Sequence, residues 1–221
     1  MKLKTGDGSE TLYSEEYSEY YHSKSGAVQE SVEKYVKPCK IIELAKKGFI
    51  SILDIGFGLG YNAIAAIDMA KKANPKVEIE ILSFEKDLQL EKLKDLKNGL
   101  KNYDIIKKLE YDPITKSYHY EDSNIFLRIK IGDATKLIKS VPKKFDAVFQ
   151  DAFSPSKNPE LWTKEYFTNI SKLMKKNAIL ATYSYARKVR ENLALAGLRV
   201  KFLLFLSSSR TNFFLSRYLL L

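Results

Sequence analysis

The chain of 221 residues carries one cysteine, Cys39, and two histidines, His22 and His119. A lone thiol excludes an internal disulfide framework, and so few Cys and His side chains exclude a zinc or iron–sulfur centre built on them. Such cysteine usage fits a reducing, cytoplasmic compartment, and no metal is expected. Long apolar runs are missing too. No stretch reaches the roughly 18 apolar residues that mark a membrane-spanning helix, and the amino terminus lacks a signal-peptide pattern. No membrane partner is therefore expected. A Walker phosphate loop with its closing Gly-Lys-Ser/Thr is absent, as are internal repeats and low-complexity linkers. Negative charge is in short supply: 37 Lys and Arg against 27 Asp and Glu give a formal net charge of +10. That surplus points to a polyanionic partner, nucleic acid first, because cationic side chains gain affinity by releasing counterions from phosphates. A lysine-rich solvated surface of the thermophile kind explains the same surplus without a partner.

What the chain does hold is a strand–turn–helix boundary of a particular kind. The apolar, β-branched run Ile50-Ser-Ile-Leu ends in Asp54, breaks into Gly56-Phe57-Gly58-Leu-Gly60, and continues as Tyr61-Asn62 and an Ala-rich segment. Glycines leave bare backbone where a ligand approaches closely, and the following helix aims its unpaired N–H groups at the same place. In open α/β sheets nucleotide-like cofactors sit at such a turn. Strand patterns fall at about 50–55, 77–84, 125–131, 145–150 and 178–184, helical ones at 60–72, 87–100, 160–175 and 186–196. Two closing strands follow at 199–206 and 212–217, and an irregular insert is expected at 101–123. The alternation predicts an α/β fold with a doubly wound, mostly parallel, Rossmann-like sheet and an antiparallel last strand. Ahead of it, residues 1–47 read as a small extension or lid, with a hairpin turning at Asp7-Gly8 and a helix interrupted at Pro38. Residues 48–221 read as the main domain.

Acids or glycine turns close the first four strands: Asp54-Ile-Gly56, Glu85-Lys86, Gly132-Asp133-Ala134 and Asp151. A parallel sheet gathers these ends on one rim. Glu85 stands where a carboxylate chelates ribose hydroxyls, and Asp133 where one accepts from an adenine amino group, with Ala134 donating from its backbone. Asp54, just before the first glycine, opposes a pyrophosphate but suits an ammonium or sulfonium group. The set therefore favours S-adenosylmethionine over a dinucleotide, and a sheet of the class I S-adenosylmethionine-dependent methyltransferase type. Asp151 opens a loop that holds Phe153, Pro155 and Pro159. Methyl transfer is an in-line displacement in which the protein aligns the nucleophile and keeps it unprotonated. A carboxylate at Asp151 attracts an amine cation and assists its deprotonation. Each acid taken alone also reads as a turn former or helix cap. Cys39 reads as a packing residue, and His22 and His119 as surface or loop positions.

Three segments resemble methyltransferases of the MnmC type: Asp54-Ile-Gly-Phe-Gly-Leu-Gly-Tyr-Asn62, Asp151-Ala-Phe-Ser-Pro-Ser-Lys-Asn-Pro-Glu-Leu-Trp162 and Leu180-Ala-Thr-Tyr-Ser-Tyr-Ala-Arg187-Lys-Val-Arg190. The second is the most specific. The resemblance implies S-adenosylmethionine as cofactor, tRNA as partner, and methylation of the aminomethyl nitrogen of 5-aminomethyluridine at the wobble position. It implies that Asp151 lies near the acceptor amine and that Glu30, in Gln29-Glu30-Ser31, lies near the cofactor. By the same resemblance Lys157, Asn158 and Trp162 join Phe153 in an acceptor loop, although Trp162 reads equally as a core aromatic. For tRNA contact the candidates are Lys157 and the cluster Arg187, Lys188 and Arg190. Bifunctional members carry a flavin-dependent oxidase domain for which 221 residues leave no room, so a stand-alone form is expected. Where such proteins have a glycine- and Arg/Lys-rich turn between the last two strands, this chain has Ser207-Ser-Ser-Arg210-Thr-Asn212. Two other readings remain. One is an aminopropyltransferase of the spermidine synthase type, which wants a second acid where Ser154 stands; the other is a non-catalytic tRNA-binding protein on the same fold.

Overall fold

The computed structural model describes residues 1–205 and 212–218; the turn residues Ser207 to Thr211, Arg210 among them, lie outside that range. The chain opens with a small antiparallel sheet of β1 (Lys2–Lys4), β2 (Glu10–Ser14) and β3 (Glu19–Tyr20). The Asp7 carboxylate closes its first turn, accepting from Thr5 Oγ1 at 2.8 Å and from the Ser9 N–H at 3.0 Å. The same carboxylate accepts from the Gln29 N–H at 2.8 Å and so ties the hairpin to α1 (Ala27–Ser31). Helix α1 runs on into a π-helical turn, Val32–Val36, in which the Lys37 N–H donates to the Val32 carbonyl at 2.9 Å. Pro38 has no N–H to continue the helix, and Lys40 turns the chain in the left-handed region (φ 55°) before α2 (Ile41–Ala45).

The alternating units follow: β4 (Phe49–Ile55), α3 (Tyr61–Ala73), β5 (Glu78–Glu85), α4 (Leu90–Lys94), β6 (Glu110–Asp112), β7 (Ser117–Glu121) and β8 (Ile125–Ile131). Then come α5 (Ala134–Leu137), β9 (Phe145–Gln150), α6 (Lys164–Lys172), β10 (Met174–Thr182), α7 (Arg187–Leu195), β11 (Arg199–Phe205) and β12 (Asn212–Tyr218). One sheet runs β11-β12-β10-β9-β4-β5-β8-β7-β6. Strands β10, β9, β4, β5 and β8 are parallel, and β12 is antiparallel to both β10 and β11. The α/β doubly wound class expected from the sequence is the class observed. The antiparallel strand lies between its neighbours and not at the sheet's edge.

Strands β4, β5, β9 and β10 each feed two cores, whereas β8 gives Ile125, Leu127 and Ile129 to the first alone. On β4, Ile50 and Ile52 face one core while Leu53 and Ile55 face the other; Ile79 and Ile81 of β5 separate from Leu82 and Phe84 in the same way. Helices cover both faces, which is why these strands read as continuous apolar runs. The first core also takes Ala27, Tyr35, Val36 and Ile41, so the amino-terminal helices pack directly on α3 and the sheet.

Two segments differ from expectation. The helix predicted over 87–100 is only the short α4, because the Lys97 backbone pairs with Glu10: the Glu10 N–H donates to the Lys97 carbonyl at 2.8 Å, and the Lys97 N–H to Glu10 Oε2 at 3.0 Å. The Asn98 side chain then accepts from the Leu100 N–H at 2.9 Å and Gly99 takes φ +77°, a turn that no helix tolerates. The insert at 101–123 is ordered: a 3₁₀ turn at Tyr103–Lys108 leads into the β6–β7 hairpin, which pairs with β8 and lengthens the sheet. Among the described residues no helix is long and apolar enough to cross a membrane.

Candidate active site

The carboxyl ends of β4, β5, β8 and β9 open into one cavity of about 640 Å³. The turn from β4 into α3 brings Gly56, Phe57, Gly58 and Asn62 to its wall. Glu85 and Lys86 arrive from β5; Gly132, Asp133 and Ala134 from β8; Asp151 from β9; Glu30 from α1. Phe153 and Asn158 of the expected acceptor loop line it as well. Glu85, Asp133 and Asp151 thus share a single hollow.

Backbone geometry demands glycine at the turn. Gly56 has φ +83°, and a Cβ there would lie 2.8 Å from the Asp151 carbonyl oxygen. The ends of β4 and β9 can approach this closely only without a side chain. The Asp151 N–H donates to the Ile55 carbonyl at 3.0 Å and holds the two ends together.

Asp151 is the central acid. Asn62 Nδ2 donates to its Oδ2 at 2.6 Å, and the Tyr35 hydroxyl donates to its Oδ1. Burial pushes this carboxyl up to about 6; the Tyr35 and Asn62 hydrogen bonds and Lys34 pull it down, and the nearby Glu30 carboxylate pushes it up further. Glu30 itself stays low: burial works to raise it, but the ion pair with Lys34 and the Ser23 N–H at 2.8 Å prevail. Glu85 accepts from the Gly58 N–H at 2.8 Å on Oε2 and from the Lys86 and Asp87 N–H groups at 2.8 and 3.2 Å on Oε1. Burial nevertheless raises it, the three N–H bonds acting against that. Asp133 is exposed and caps α5, its Oδ1 accepting from Thr135 Oγ1 at 2.6 Å and the Thr135 N–H at 2.9 Å, which lowers its pKa.

Other expected residues lie elsewhere. Asp54 is fully buried behind the cavity wall, its Oδ2 accepting from Ser83 Oγ at 2.8 Å, and burial pushes it up to about 8. It stands on the strand face shared with Ile52, turned into the core, so it does not line the cavity. Gly60 (φ +78°) starts α3 and packs against Phe57 and Ile106. Trp162 is a core aromatic: its Nε1 donates to the Phe153 carbonyl at 2.9 Å and Asn192 Nδ2 donates to its own carbonyl at 2.8 Å. Through those bonds it shapes the loop without lining the cavity. Lys157 is exposed on that loop. Arg187 and Lys188 are exposed and Arg190 half-buried in the first turn of α7, with Arg187 paired to Glu191 at 2.8 Å.

Part of the lining comes from residues the sequence did not single out. Tyr17, Glu19, Tyr21 and His22 enter from β3 and the turns that flank it, and Tyr183 from the end of β10. Tyr17 stacks on Phe153 with ring centroids 4.1 Å apart and Tyr21 tilts against the same ring at 5.2 Å. Glu19 accepts from Ser154 Oγ at 2.6 Å, and Glu16 pairs with Lys86 at 2.5 Å. The extension therefore grips both the cofactor-side and acceptor-side loops. His22, expected on the surface or in a loop, lines the cavity, and burial pushes its pKa down to about 4, so it is neutral there. The signal available was the density of tyrosines over 13–21, since a phenol in a half-buried strand wants a polar partner.

The strand order, the acidic rim and the glycine turn define a class I methyltransferase fold. Comparison with known proteins agrees. The sequence profile of a family described as S-adenosyl-L-methionine-dependent methyltransferase matches residues 92–203. The crystal structure of MnmC2 from Aquifex aeolicus superposes with a TM-score of 0.84 at 38% identity, over 98% of this chain and 69% of that one. An uncharacterised protein of Methanocaldococcus jannaschii is 35% identical over 88% of this chain and 53% of its own length. The tRNA 5-methylaminomethyl-2-thiouridine biosynthesis bifunctional protein MnmC of Campylobacter hominis is 31% identical over 84% of this chain and 28% of its own. The chain thus spans about half or less of the curated relatives it matches. It belongs to the S-adenosyl-L-methionine-dependent methyltransferase family, in its MnmC branch, and S-adenosylmethionine is its cofactor. That membership sets aside the aminopropyltransferase and the non-catalytic binding protein.

The cavity fits such a cofactor on one further ground. Asn62 gives its amide N–H to Asp151, while its buried Oδ1 has no hydrogen-bond partner. A buried carbonyl oxygen without a donor costs about 1–3 kcal/mol, and an ammonium group in the cavity supplies the donor.

Proposed function

We propose that this chain methylates the aminomethyl nitrogen of 5-aminomethyluridine at the wobble position of tRNA. The observation that carries the reading is Asp151, an acid held between Tyr35 and Asn62 at the cavity wall and pushed up to about 6 by burial. The MnmC relatives, named for 5-methylaminomethyl-2-thiouridine biosynthesis, support the same acceptor. So does the net charge of +10.

Bound S-adenosylmethionine supplies an electrophilic methyl group on a cationic sulfur. The residues to hold it are Glu85 for the ribose hydroxyls, Asp133 and Ala134 for the adenine, and the Gly56–Gly58 backbone with Glu30 and Asn62 for the amino-acid end. An acidic rim suits a cationic donor, since desolvated carboxylates gain most from an opposite charge close by. The acceptor amine arrives as an ammonium ion. Asp151 attracts it, orients it and takes its proton, freeing the lone pair for displacement. A carboxyl near 6 is suited to this work: it is mostly ionised at neutral pH yet more basic than an ordinary aspartate. Phe153, Asn158 and the exposed Lys157 form the acceptor side of the loop, with Trp162 bracing it from behind. Lys157, Arg187, Lys188 and Arg190 face the tRNA backbone.

Incubating the protein and S-adenosylmethionine with tRNA from a strain lacking the methylation, then analysing wobble nucleosides by mass spectrometry, tests the reading. A gain of one methyl group on 5-aminomethyluridine is expected. Methylation of another nucleoside, or none, overturns it.

A further inference from the structure

Tyr35 is a large core side chain, 1% exposed, in a molecule whose buried Tyr61 and Tyr103 turn their hydroxyls to backbone carbonyls. Its own hydroxyl reaches instead across 116 positions of sequence to Asp151. The ring is buried in the first core and packs against the Phe149 ring at 5.7 Å, two residues before Asp151 on β9. It is carried by the π-helical turn Val32–Val36. Such wide turns are less favourable than α-helix and recur at functional sites, because one extra residue re-aims the side chains around it. Here the turn brings Lys34 to Glu30 and Tyr35 to Asp151 from neighbouring positions.

We propose that Tyr35 is a positioning residue for the transfer: its hydroxyl and the Asn62 amide clamp the two oxygens of Asp151 and hold that carboxylate in the ionised, oriented form that receives the acceptor amine. The proposal rests on the reading of Asp151 given above. Two donors on one carboxylate leave it little freedom to rotate, and a donor stabilises the charged form over the protonated one. The other groups around Asp151 do not replace this. Glu30 opposes its ionisation, Lys34 favours it from α1's continuation, Asp54 lies behind on β4, and Tyr183 approaches from the end of β10. Without the Tyr35 donor the balance moves toward the protonated acid, which can neither attract nor deprotonate an amine.

Two changes at this position test it, Tyr35→Phe and 3-fluorotyrosine incorporated at position 35, which makes the hydroxyl a stronger donor. The readouts are kcat and KM with tRNA carrying 5-aminomethyluridine, cofactor affinity by calorimetry, and the Asp151 titration followed by carboxyl ¹³C NMR. In Tyr35→Phe the Asp151 midpoint should rise by about one to two pH units, the size expected of one hydrogen bond to a charged group. Its kcat at pH 7 should fall about two- to tenfold, the drop in the ionised fraction that such a shift produces, with both KM and cofactor affinity near wild type. With fluorotyrosine the midpoint should fall. A purely structural role would lower the melting temperature and leave the midpoint alone. An unmoved midpoint with wild-type kcat in Tyr35→Phe overturns the proposal, and if that variant does not fold, an unmoved midpoint with fluorotyrosine does so. Asp151→Asn run alongside separates the two claims. Full turnover in Asp151→Asn defeats the reading of Asp151; loss there with wild-type behaviour in Tyr35→Phe defeats only the role of Tyr35.

Discussion

Replacing Asp151 by asparagine removes one negative charge while nearly preserving shape, and the surroundings say what else changes. The new Oδ1 still accepts from the Tyr35 hydroxyl. The new amide nitrogen would face Asn62 Nδ2, now 2.6 Å from the carboxylate, donor against donor. Asn62 can rotate its amide by half a turn, presenting the Oδ1 that at present has no partner. The fold should therefore survive, with a melting temperature within about 2–4 °C of wild type, the shift a change near 1 kcal/mol gives in a chain of this size. Turnover should not survive. Two unit charges about 4 Å apart at an effective dielectric near 20 attract by about 4 kcal/mol, close to a thousandfold in rate if the contact matters in the transition state. Loss of proton acceptance taken alone predicts about 10²–10⁴-fold. Both routes give a kcat loss near a thousandfold, with the cofactor still bound. Single-turnover methylation from radiolabelled S-adenosylmethionine, together with cofactor calorimetry, measures each quantity. A variant within threefold of wild-type kcat would refute the assigned chemistry.

Other substitutions probe the frame around that acid. Gly56→Ala puts a Cβ 2.8 Å from the Asp151 carbonyl at φ +83°, so thermal unfolding should show a loss of about 2 kcal/mol or more and cofactor affinity should drop. Asp54 has a folded pKa near 8, above its ordinary value of 3.8, so the folded state keeps a proton that the unfolded chain releases. Its contribution to stability therefore declines as pH rises from about 4 to 8, by about 1.4 kcal/mol per unit at most. Asp54→Asn should flatten that decline in denaturant titrations at pH 5 and 8, and an unchanged slope would contradict the burial argument. Trp162→Phe removes the Nε1–H bond to the Phe153 carbonyl, and should cost about 1–3 kcal/mol by leaving that oxygen unpaired, with KM for tRNA rising as the loop relaxes. Lys157→Glu combined with Lys188→Glu should weaken tRNA binding about tenfold or more at low salt and reduce its salt dependence, while calorimetry finds cofactor affinity intact; equal loss of both affinities would remove these residues from the tRNA face.

The central sheet was readable because β4, β5, β8 and β9 are rich in apolar residues and each stops at a glycine or an acid, a signal that survives without tertiary knowledge. The rim was readable for the same reason: Glu85, Asp133 and Asp151 all terminate strands, and parallel strands end together. Asp54 shows the limit of reasoning from spacing to the glycine turn. Its alternation with Ile50 and Ile52 already placed it on a core-facing side, and period two outweighs proximity to the turn. The helix expected over 87–100 failed because a Lys- and Leu-rich run has helical propensity whatever its backbone pairs with, and Glu10 pairs with Lys97 from far away in sequence. Tyr17, Glu19, Tyr21 and Tyr35 escaped for a related reason: their partners Phe153, Ser154 and Asp151 are more than a hundred residues distant, where no local pattern reaches.

That distance has a consequence for how the enzyme comes into being. The glycine turn and Glu85 are neighbours in the growing polypeptide, so the pocket for the nucleoside can take shape early. The acid with its clamp is different, because Tyr35 and Asn62 must wait for Asp151 to leave the ribosome before either finds its counterpart. A nascent or truncated chain ending before β9 should hold a half-built nucleoside pocket and no reactive centre, so methyl donor cannot be consumed by fragments.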